Sequence, residues 1–246
     1  FFEAEDVIRY LVRSRGLGDV YKRQGTKRTA IGYQCGQTSQ GDKSISIGYE
    51  CGKTSQGIQC VAMGYRSGYD TQLQQSVAIG HQSGMTSQGS QSVAIGLNAG
   101  QTQQKTQSVA VGYECGQTGQ NNQSVAMGFQ SGMTSQGSRS VAIGFHSGHT
   151  TQGSDSVAVG CEAGETDQGR QCVAIGYLAA QSNQDQQSVA IGTRAGNTSQ
   201  GSSSVAIGVQ AGKEGQNAWC TAVGWGAGEI RQGLSLIHIS EPTRPY

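Results

Sequence analysis

The sequence has few charged residues, no long apolar run and a nearly balanced charge. Its 246 residues include 17 Lys or Arg and 16 Asp or Glu, which gives a formal net charge of +1. The basic surface that binds nucleic acid or anionic lipid is therefore absent. No apolar stretch approaches the ~18 residues that a membrane-crossing helix needs. We expect no nucleic-acid partner and no direct membrane insertion by this segment.

Motifs that carry catalysis or metal binding are also missing. The seven cysteines include no Cys-x-x-Cys pair, so a zinc site is not indicated. His146 and His149 lie close in sequence but lack a third ligand, and the acidic residues Glu162, Glu165 and Asp167 fall in a predicted turn without a cleft. A nucleophile elbow and a phosphate-binding loop are absent as well. We expect no catalytic residue, no metal and no cofactor, and therefore no enzyme.

What the sequence does contain is a repeat of sixteen residues, present in thirteen copies without an insertion or deletion. A constant period means that every copy occupies the same length of backbone, as one rung of a solenoid does. The central aliphatic residue of each copy is taken as position 0. It falls at Ile31, Ile47, Met63, Ile79, Ile95, Val111, Met127, Ile143, Val159, Ile175, Ile191, Ile207 and Val223.

Each copy contains one predicted strand of the type Ser-Val-Ala-Ile. Residues two apart on a strand share a face, so Val at −2 and Ile at 0 are predicted to enter the core together. The predicted core residues are Val77, Ile79, Val93, Ile95, Val141, Ile143, Val205 and Ile207.

Alanine at −1 is then expected on the outer face of the strand. A small apolar residue held there in twelve copies indicates either a neighbouring chain in close approach or a wide rung that buries both strand faces. On the first interpretation the interface residues are Ala78, Ala94, Ala110, Ala126 and Ala142.

Glycine at +1 and glutamine at +9 occur in all thirteen copies. Glycine at a fixed phase predicts corners that need positive φ or a close backbone approach, and glutamines stacked at ~4.8 Å can form an amide ladder at a polar turn. The corner glycines include Gly80, Gly96, Gly112, Gly128 and Gly144, and the ladder includes Gln88, Gln104, Gln120, Gln136 and Gln152.

Position +2 is aromatic in most copies. Tyrosine, phenylalanine and tryptophan suit interfaces, although they could equally cover the glycine corner of the next rung. This column is interrupted by His81, Leu97 and Cys161, among others. The predicted contact stripe contains Tyr33, Tyr49, Tyr65, Tyr113, Phe129 and Phe145.

The two ends of the chain do not follow the repeat. Residues 14–24 read SRGLGDVYKRQ, and residues 234–244 read LSLIHISEPTR. Opposite strands of one DNA segment can encode both, and that segment resembles a sequencing adapter, so both ends are excluded from fold reasoning. We predict non-native tails at 1–24 and 234–246 around a repeat array at 25–233, as in a metagenomic fragment.

The repeats predict an all-β fold, a parallel β-solenoid of about thirteen sixteen-residue rungs. The strand cores, such as SVAIG at residues 76–80, 92–96 and 140–144, resemble the head repeats of YadA-like trimeric autotransporter adhesins and related heads of phage and large-virus fibres. The resemblance implies a left-handed β-roll that associates as a homotrimer.

We therefore expect a structural and adhesive head segment of an extracellular, cell-surface or virion fibre, with a host surface protein or glycan as receptor. An ice-binding or ice-nucleating solenoid is the alternative. Ice-nucleation proteins also use a sixteen-residue repeat, and Thr occupies position +7 in nine copies here. That Thr column is followed by Gln two residues later, where an ice-binding pattern would repeat Thr.

Overall fold

The computed structural model describes residues 27–231, residue 233 and the backbone of residues 237–239. Every regular element in these ranges is a β-strand. The predicted tail at 1–24 lies outside the described residues, and so do residues 234–236 and 240–246 of the predicted C-terminal tail.

One long parallel sheet of fourteen strands forms the first wall of the molecule. Neighbouring strands are sixteen residues apart and in register, so that Val125 pairs with both Val109 and Val141. The prediction of an all-β parallel solenoid is confirmed, while its handedness stays a prediction. The strands are Thr29–Tyr33, Ile45–Tyr49, Val61–Tyr65, Val77–His81, Val93–Leu97, Val109–Tyr113, Val125–Phe129, Val141–Phe145, Val157–Val159, Val173–Ile175, Val189–Ile191, Val205–Ile207, Thr221–Val223 and Ile237–Ile239.

The second wall consists of shorter strands that end at the repeat glutamine. They form a three-stranded and a five-stranded parallel sheet, and single bridges such as Thr102 to Thr118 join the rungs between these sheets. The strands are Ser39–Gln40, Ser55–Gln56 and Thr71–Gln72 in one sheet, and Thr134–Gln136, Thr150–Gln152, Thr166–Gln168, Ser182–Gln184 and Thr198–Gln200 in the other.

The last strand of the long sheet lies in the predicted non-native tail. Thr221 pairs with Ile237 and Val223 with Ile239, again sixteen residues apart. The sheet therefore continues by one strand beyond the boundary that the sequence indicated at residue 233.

The strands of the long sheet face the opposite way from the prediction. The predicted core residues Val77, Val93, Val141 and Val205 and their partners Ile79, Ile95, Ile143 and Ile207 are all partly exposed. The predicted interface residues Ala78, Ala94, Ala110, Ala126 and Ala142 are instead completely buried. Alanine lines the interior, and valine and isoleucine lie outside.

The reason for this reversal is the small distance between the two walls. A Cβ placed on Gly132 would lie 3.2 Å from the Cβ of Ala126 and 2.9 Å from the side-chain amide carbon of Gln136. A valine or isoleucine side chain at the alanine position would occupy the volume that the opposite wall already fills. The interior therefore accepts only alanine, serine, cysteine and the glutamine side chain.

The glutamines at +9 form a ladder inside the molecule rather than at a polar turn. The Nε2 of Gln104 donates to the Oε1 of Gln120 at 3.0 Å, and Gln120 donates to Gln136 at 3.1 Å. The same amide of Gln104 donates to the carbonyl oxygen of Val93 at 2.9 Å, on the facing wall of its own rung. Most of these glutamines thus connect the two walls and two successive rungs, but the ladder is broken between Gln72 and Gln88, where the Oε1 of Gln88 has no hydrogen-bond partner. Gln88, Gln104, Gln120, Gln136 and Gln152 are all buried members.

Serine at −3 completes the polar interior. The hydroxyl of Ser92 donates to the carbonyl oxygen of Gly89 at 2.6 Å, and Ser124 donates to Asn121 at 2.6 Å. The hydroxyl of Ser92 also lies 3.0 Å from the carbonyl oxygen of Lys105 in the next rung, and the thiol of Cys60, which replaces serine, makes the equivalent contact with the carbonyl of Leu73 at 2.9 Å. Cysteine therefore substitutes for serine as a small buried donor.

The glycines at +1 lie where successive rungs approach most closely. Gly80, Gly96, Gly112, Gly128 and Gly144 have φ between 128° and 136°, a region that L side chains rarely adopt. A Cβ on Gly144 would collide with the carbonyl oxygen of Gly160.

We expect Gly144→Ala to destabilise the fold by about 3 kcal/mol, because it combines backbone strain with a collision against a backbone atom. Gly119→Ser is the matched control. Gly119 also has a positive φ, of 72°, but its nearest neighbour lies 3.8 Å from the added Cβ, and Ser135 occupies the same position one rung later. Urea unfolding followed by circular dichroism compares the two variants. Equal midpoints would contradict this account of the corner.

Replacing a ladder glutamine by leucine should also be costly. Gln136→Leu removes the acceptor of Gln120 and the donor to Gln152, and unpaired buried amides cost about 1–3 kcal/mol each. The exposed Gln123, which pairs with Gln107 at 3.2 Å on the surface, provides the control Gln123→Leu, expected to change stability by less than about 0.5 kcal/mol. A Gln136→Leu variant as stable as Gln123→Leu would show that the buried ladder contributes little.

Candidate functional site

The outer face of the long sheet is mostly apolar along its described length, with polar side chains only at a few positions such as Thr29, His81 and Thr193. It consists of three columns, namely Val at −2, Ile, Val or Met at 0, and the mostly aromatic residues at +2. The side chains of Ile95, Met127 and Ile143 are 37%, 40% and 38% exposed. We call these three columns the outer face.

The aromatic column lies on this face and its rings stack on one another. Tyr33 and Tyr49 have ring centroids 4.9 Å apart with an interplanar angle of 16°, and Tyr113 and Phe129 have centroids 4.8 Å apart at 4°. These separations match the ~4.8 Å between parallel strands. The rings therefore cover each other's faces and present their edges and hydroxyl groups to the surroundings. The residues predicted as a contact stripe, Tyr33, Tyr49, Tyr65, Tyr113, Phe129 and Phe145, form two such stacks with His81 at the end of the first.

The area of the outer face is large for a single chain. Three columns two residues apart span about 14 Å, and thirteen rungs span about 60 Å, which gives an area on the order of 800 Å². Monomeric soluble proteins rarely expose contiguous apolar patches larger than a few hundred Å². The outer face is therefore the strongest interaction surface that the described residues offer.

The second wall presents a polar surface. Its Thr column is half-buried, as at Thr134 and Thr150, which pair in register. The exposed residue that follows each Thr varies from rung to rung, as in Ser135, Thr151 and Asp167, and it adopts a positive φ of 52–55°. The wall thus has one regular Thr row and an irregular neighbouring row.

A charged cluster lies at one edge of the outer face. The carboxylate of Glu50 accepts hydrogen bonds from Lys53 Nζ at 2.6 Å and from Arg66 Nε at 2.7 Å. These bonds, the one from Lys53 first, hold the pKa of Glu50 below its usual range. The guanidinium carbon of Arg66 lies 5.5 Å from the ring centre of Tyr65 and 5.4 Å from that of Tyr69. The cluster of one carboxylate and two cations carries a formal net charge of +1.

The cysteine and histidine side chains do not come together in a metal-binding group within the described part of the chain. None of the seven cysteines forms a disulfide, and only Cys161 is partly exposed. A hydrogen bond from the Cys51 thiol lowers the pKa of Cys35 to about 7. Burial, and then the neighbouring His146, lowers the pKa of His149. Among the described residues, no group of three or more His, Cys, Asp or Glu side chains is placed to hold a metal ion.

Comparison with known families identifies part of this architecture. Residues 74–99 match the family model of the YadA head domain repeat, in two copies. These are YadA-like head repeats. The match contains the cores at residues 76–80 and 92–96, and the same alanine, glycine and glutamine columns recur in register in the other described rungs. No curated protein and no solved structure matches the chain significantly. None of the described residues forms a helix long and apolar enough to span a bilayer.

The head repeats place every residue that the sequence singled out, although not always where expected. The corner glycines have the positive φ that was predicted, the glutamines form the predicted ladder but in the interior instead of at a polar turn, and the aromatic stripe is exposed. The valine and isoleucine columns belong to the partly exposed outer face and the alanine column to the core. The missed signal was the alanine column itself, in which only Ser46 departs from alanine and which varies less than the valine and isoleucine columns.

Leu97 separates the two ring stacks, between His81 and Tyr113. We expect Leu97→Phe to join them and to raise the free energy of unfolding by about 1 kcal/mol, because each stacked aromatic pair contributes about 0.5–1.5 kcal/mol beyond its buried area. Leu97→Ala should lower it. Thermal unfolding compares the stability of both variants with that of the parent chain. A Leu97→Phe variant less stable than the parent chain would show that the rings of this column cannot stack without a break.

Proposed function

We propose that the chain is a structural and adhesive head segment of an extracellular or virion fibre, in which three copies associate through their outer faces. The observation that carries this proposal is an apolar surface thirteen rungs long on a fold whose interior is complete without it. The fibre-head character is supported by the YadA-like head repeats at residues 74–99.

The interior of each rung needs no contribution from the outer face. Alanine, serine and glutamine fill the space between the walls, and among the described residues their buried polar side-chain atoms are hydrogen-bonded within or between rungs, except the Oε1 of Gln88. The valine and isoleucine columns therefore have no packing role inside a single chain. Apolar side chains in such a regular array are stabilised when another surface covers them.

Two further copies of the same chain are the occupants that fit this surface best. The −2 and 0 columns carry no charged residue in any rung and repeat without a shift in register, so the faces of identical chains match rung by rung. Oligomers of identical chains close by rotational symmetry. An area on the order of 800 Å² per chain is also what a stable protein interface requires from each partner.

A trimer of this kind is a stiff rod that displays the polar second walls. Repeated weak contacts along three chains would bind a surface by avidity rather than through one tight site. We propose a host surface protein or a glycan as the receptor, and a cell-surface or virion fibre as the location. The proposal includes no catalysis, no cofactor, no nucleic acid and no membrane insertion by this segment.

Because the stacked rings cover each other's faces, a sugar ring cannot stack on the middle of either ring stack. Glycan recognition would therefore use ring edges, tyrosine hydroxyls and the neighbouring polar side chains. The ice-binding alternative is less well supported, because the Thr column is a single half-buried row beside an irregular one.

The decisive test replaces outer-face residues by glutamate. Ile95→Glu, Met127→Glu and Ile143→Glu, combined in one chain, should convert a trimer into a folded monomer, because charges at a buried apolar interface are strongly destabilising. Light scattering after size exclusion gives the mass, and circular dichroism reports the fold.

The matched control places glutamate in the alanine column. Ala94→Glu, Ala110→Glu and Ala126→Glu should abolish folding, since these side chains are completely buried in the single chain. A parent chain that is monomeric, or a trimer that survives the outer-face substitutions, would refute the proposed assembly. In the first case, an ice-growth assay would test the alternative.

A further inference from the structure

Two cysteines occupy position +4 of the repeat in adjacent rungs. Cys35 and Cys51 are sixteen residues apart, and no other two cysteines of the chain have this spacing. Both side chains are buried in the interior, on the opposite side of the sheet from the outer face. The backbones of the two rungs are still paired here, because Gly36 N donates to the carbonyl oxygen of Cys51 at 3.0 Å. The two thiols are therefore direct neighbours in the stack.

The sulfur of Cys35 is directed towards the rung of Cys51. It lies 3.1 Å from the carbonyl oxygen of Gly48, which belongs to that rung. The thiol of Cys51 hydrogen-bonds to the sulfur of Cys35, and this bond lowers the pKa of Cys35 to about 7 although burial opposes the shift. About half of such a thiol is thiolate at neutral pH, and the thiolate is the form that reacts with oxidants. Cys35 is 8% exposed and Cys51 is completely buried, so a small oxidant reaches Cys35 first.

The spacing of the rungs permits a covalent bond between these residues. Stacked Cα atoms lie about 4.8 Å apart, within the range of about 4.4–6.8 Å that disulfides span. The Cβ atoms of a disulfide lie about 3.5–4.5 Å apart, so the two side chains must approach by a few tenths of an ångström. Both cysteines follow the ends of their strands at Tyr33 and Tyr49. This small approach therefore takes place in the turns and leaves the sheet intact.

Two other buried cysteines have no such neighbour. Cys115 occupies the same column between Ala99 and Ser131, and burial raises its pKa. Cys60 faces Ser76 in the next rung, with the sulfur and oxygen atoms 3.5 Å apart. Both thiols share the burial of the pair but not its partner, so they are suitable controls within the same chain.

We propose that Cys35 and Cys51 form an oxidative modification site, at which hydrogen peroxide converts the two thiols into a disulfide bond between neighbouring rungs. The Cys35 thiolate attacks one peroxide oxygen, the O–O bond breaks, and the other oxygen takes up a proton and leaves as water. The sulfur of Cys51 then attacks the sulfenic acid on Cys35, and the hydroxyl group leaves with the thiol proton as a second water. Two thiols are oxidised, and one peroxide is reduced to two water molecules.

This bond lies inside one chain and goes beyond the proposed assembly. Association through the outer face does not involve the inward column at +4, so the site is the same in a monomer and in a trimer. The bond closes a loop that joins two successive rungs, and such a link stabilises mainly by restricting the unfolded chain. Oxidation should therefore strengthen the array at this point without changing its surface.

Trypsin separates the two cysteines and so detects the bond directly. Cleavage after Arg28, Lys43 and Lys53 leaves Cys35 and Cys51 on different peptides. The native full chain is reduced, freed of reductant and treated with hydrogen peroxide, and its remaining thiols are alkylated with N-ethylmaleimide in urea before digestion. We expect mass spectrometry to find the two peptides linked, with the loss of two hydrogen atoms, and to find Cys35 oxidised about tenfold faster than the control thiols.

Cys51→Ser is the matched variant, because serine occupies the same column at Ser67 and Ser83 and the fold should be retained. In this variant dimedone should trap a sulfenic acid on Cys35, and no linked peptide should form. Oxidation of the parent chain should raise its midpoint of thermal unfolding by about 5 °C, and dithiothreitol should reverse the change. The midpoint of Cys51→Ser should not respond to either reagent.

Three results would overturn the proposal. They are the absence of the linked peptide in the native chain, a link that forms only in urea, and oxidation of Cys60 or Cys115 as fast as that of Cys35. A disulfide between the Cys35 residues of two chains, seen as a dimer on a non-reducing gel, would also overturn it. The mass of the native sample reports the assembly independently, so failure of this proposal is distinguishable from failure of the proposed trimer.

Discussion

The side-chain amide of the repeat glutamine determines the cross-section of the solenoid. Gln104 donates to the carbonyl of Val93 across its own rung and to Gln120 in the next rung, so the amide fixes both the wall separation and the rung spacing. A buried amide is tolerated only when it is hydrogen-bonded, which explains why the residue does not vary. Because the glutamine side chain and the glycine backbone fill the space opposite the long sheet, only alanine and serine fit on its inner side.

The large apolar residues therefore lie on the outside of the single chain. This reverses the usual distribution, in which large apolar residues lie inside. The core of Ala94, Ser92 and Gln104 is small and polar, whereas Ile95 and Met127 are exposed in the single chain. A narrow roll buries little apolar area per rung. More apolar area can be buried only when chains associate. Folding of the single chain therefore depends on the inward alanine column, and association between chains depends on the outward valine and isoleucine columns of the same strand.

The period, the parallel strands and the corner glycines followed from the sequence because they depend only on spacing. A period of sixteen residues without insertions is explained by a stack of identical rungs. Glycine at +1 is explained by the lack of space for a Cβ next to the following rung. The face of the strand did not follow, because the alternation of Val, Ala and Ile is compatible with either orientation. The usual rule that large apolar residues lie inside fails here, since burial of apolar residues is a tendency and the wall separation is a tertiary property.

The division between fixed and free columns shows where function can vary along such a rod. The inner columns are constrained by the glutamine ladder in every rung, so substitutions there affect all functions through stability. The columns at +2 and +3 lie at the edge of the outer face, and their identities change from rung to rung without altering the backbone, as the continuous hydrogen bonding at Phe145, Cys161 and Leu178 illustrates. A local departure in these columns therefore changes the surface of one rung and leaves the fold unchanged. In a solenoid of this type, we expect binding specificity at rungs whose outer-column residues differ from the repeat. We expect mechanical strength where the inner-column residues follow the repeat.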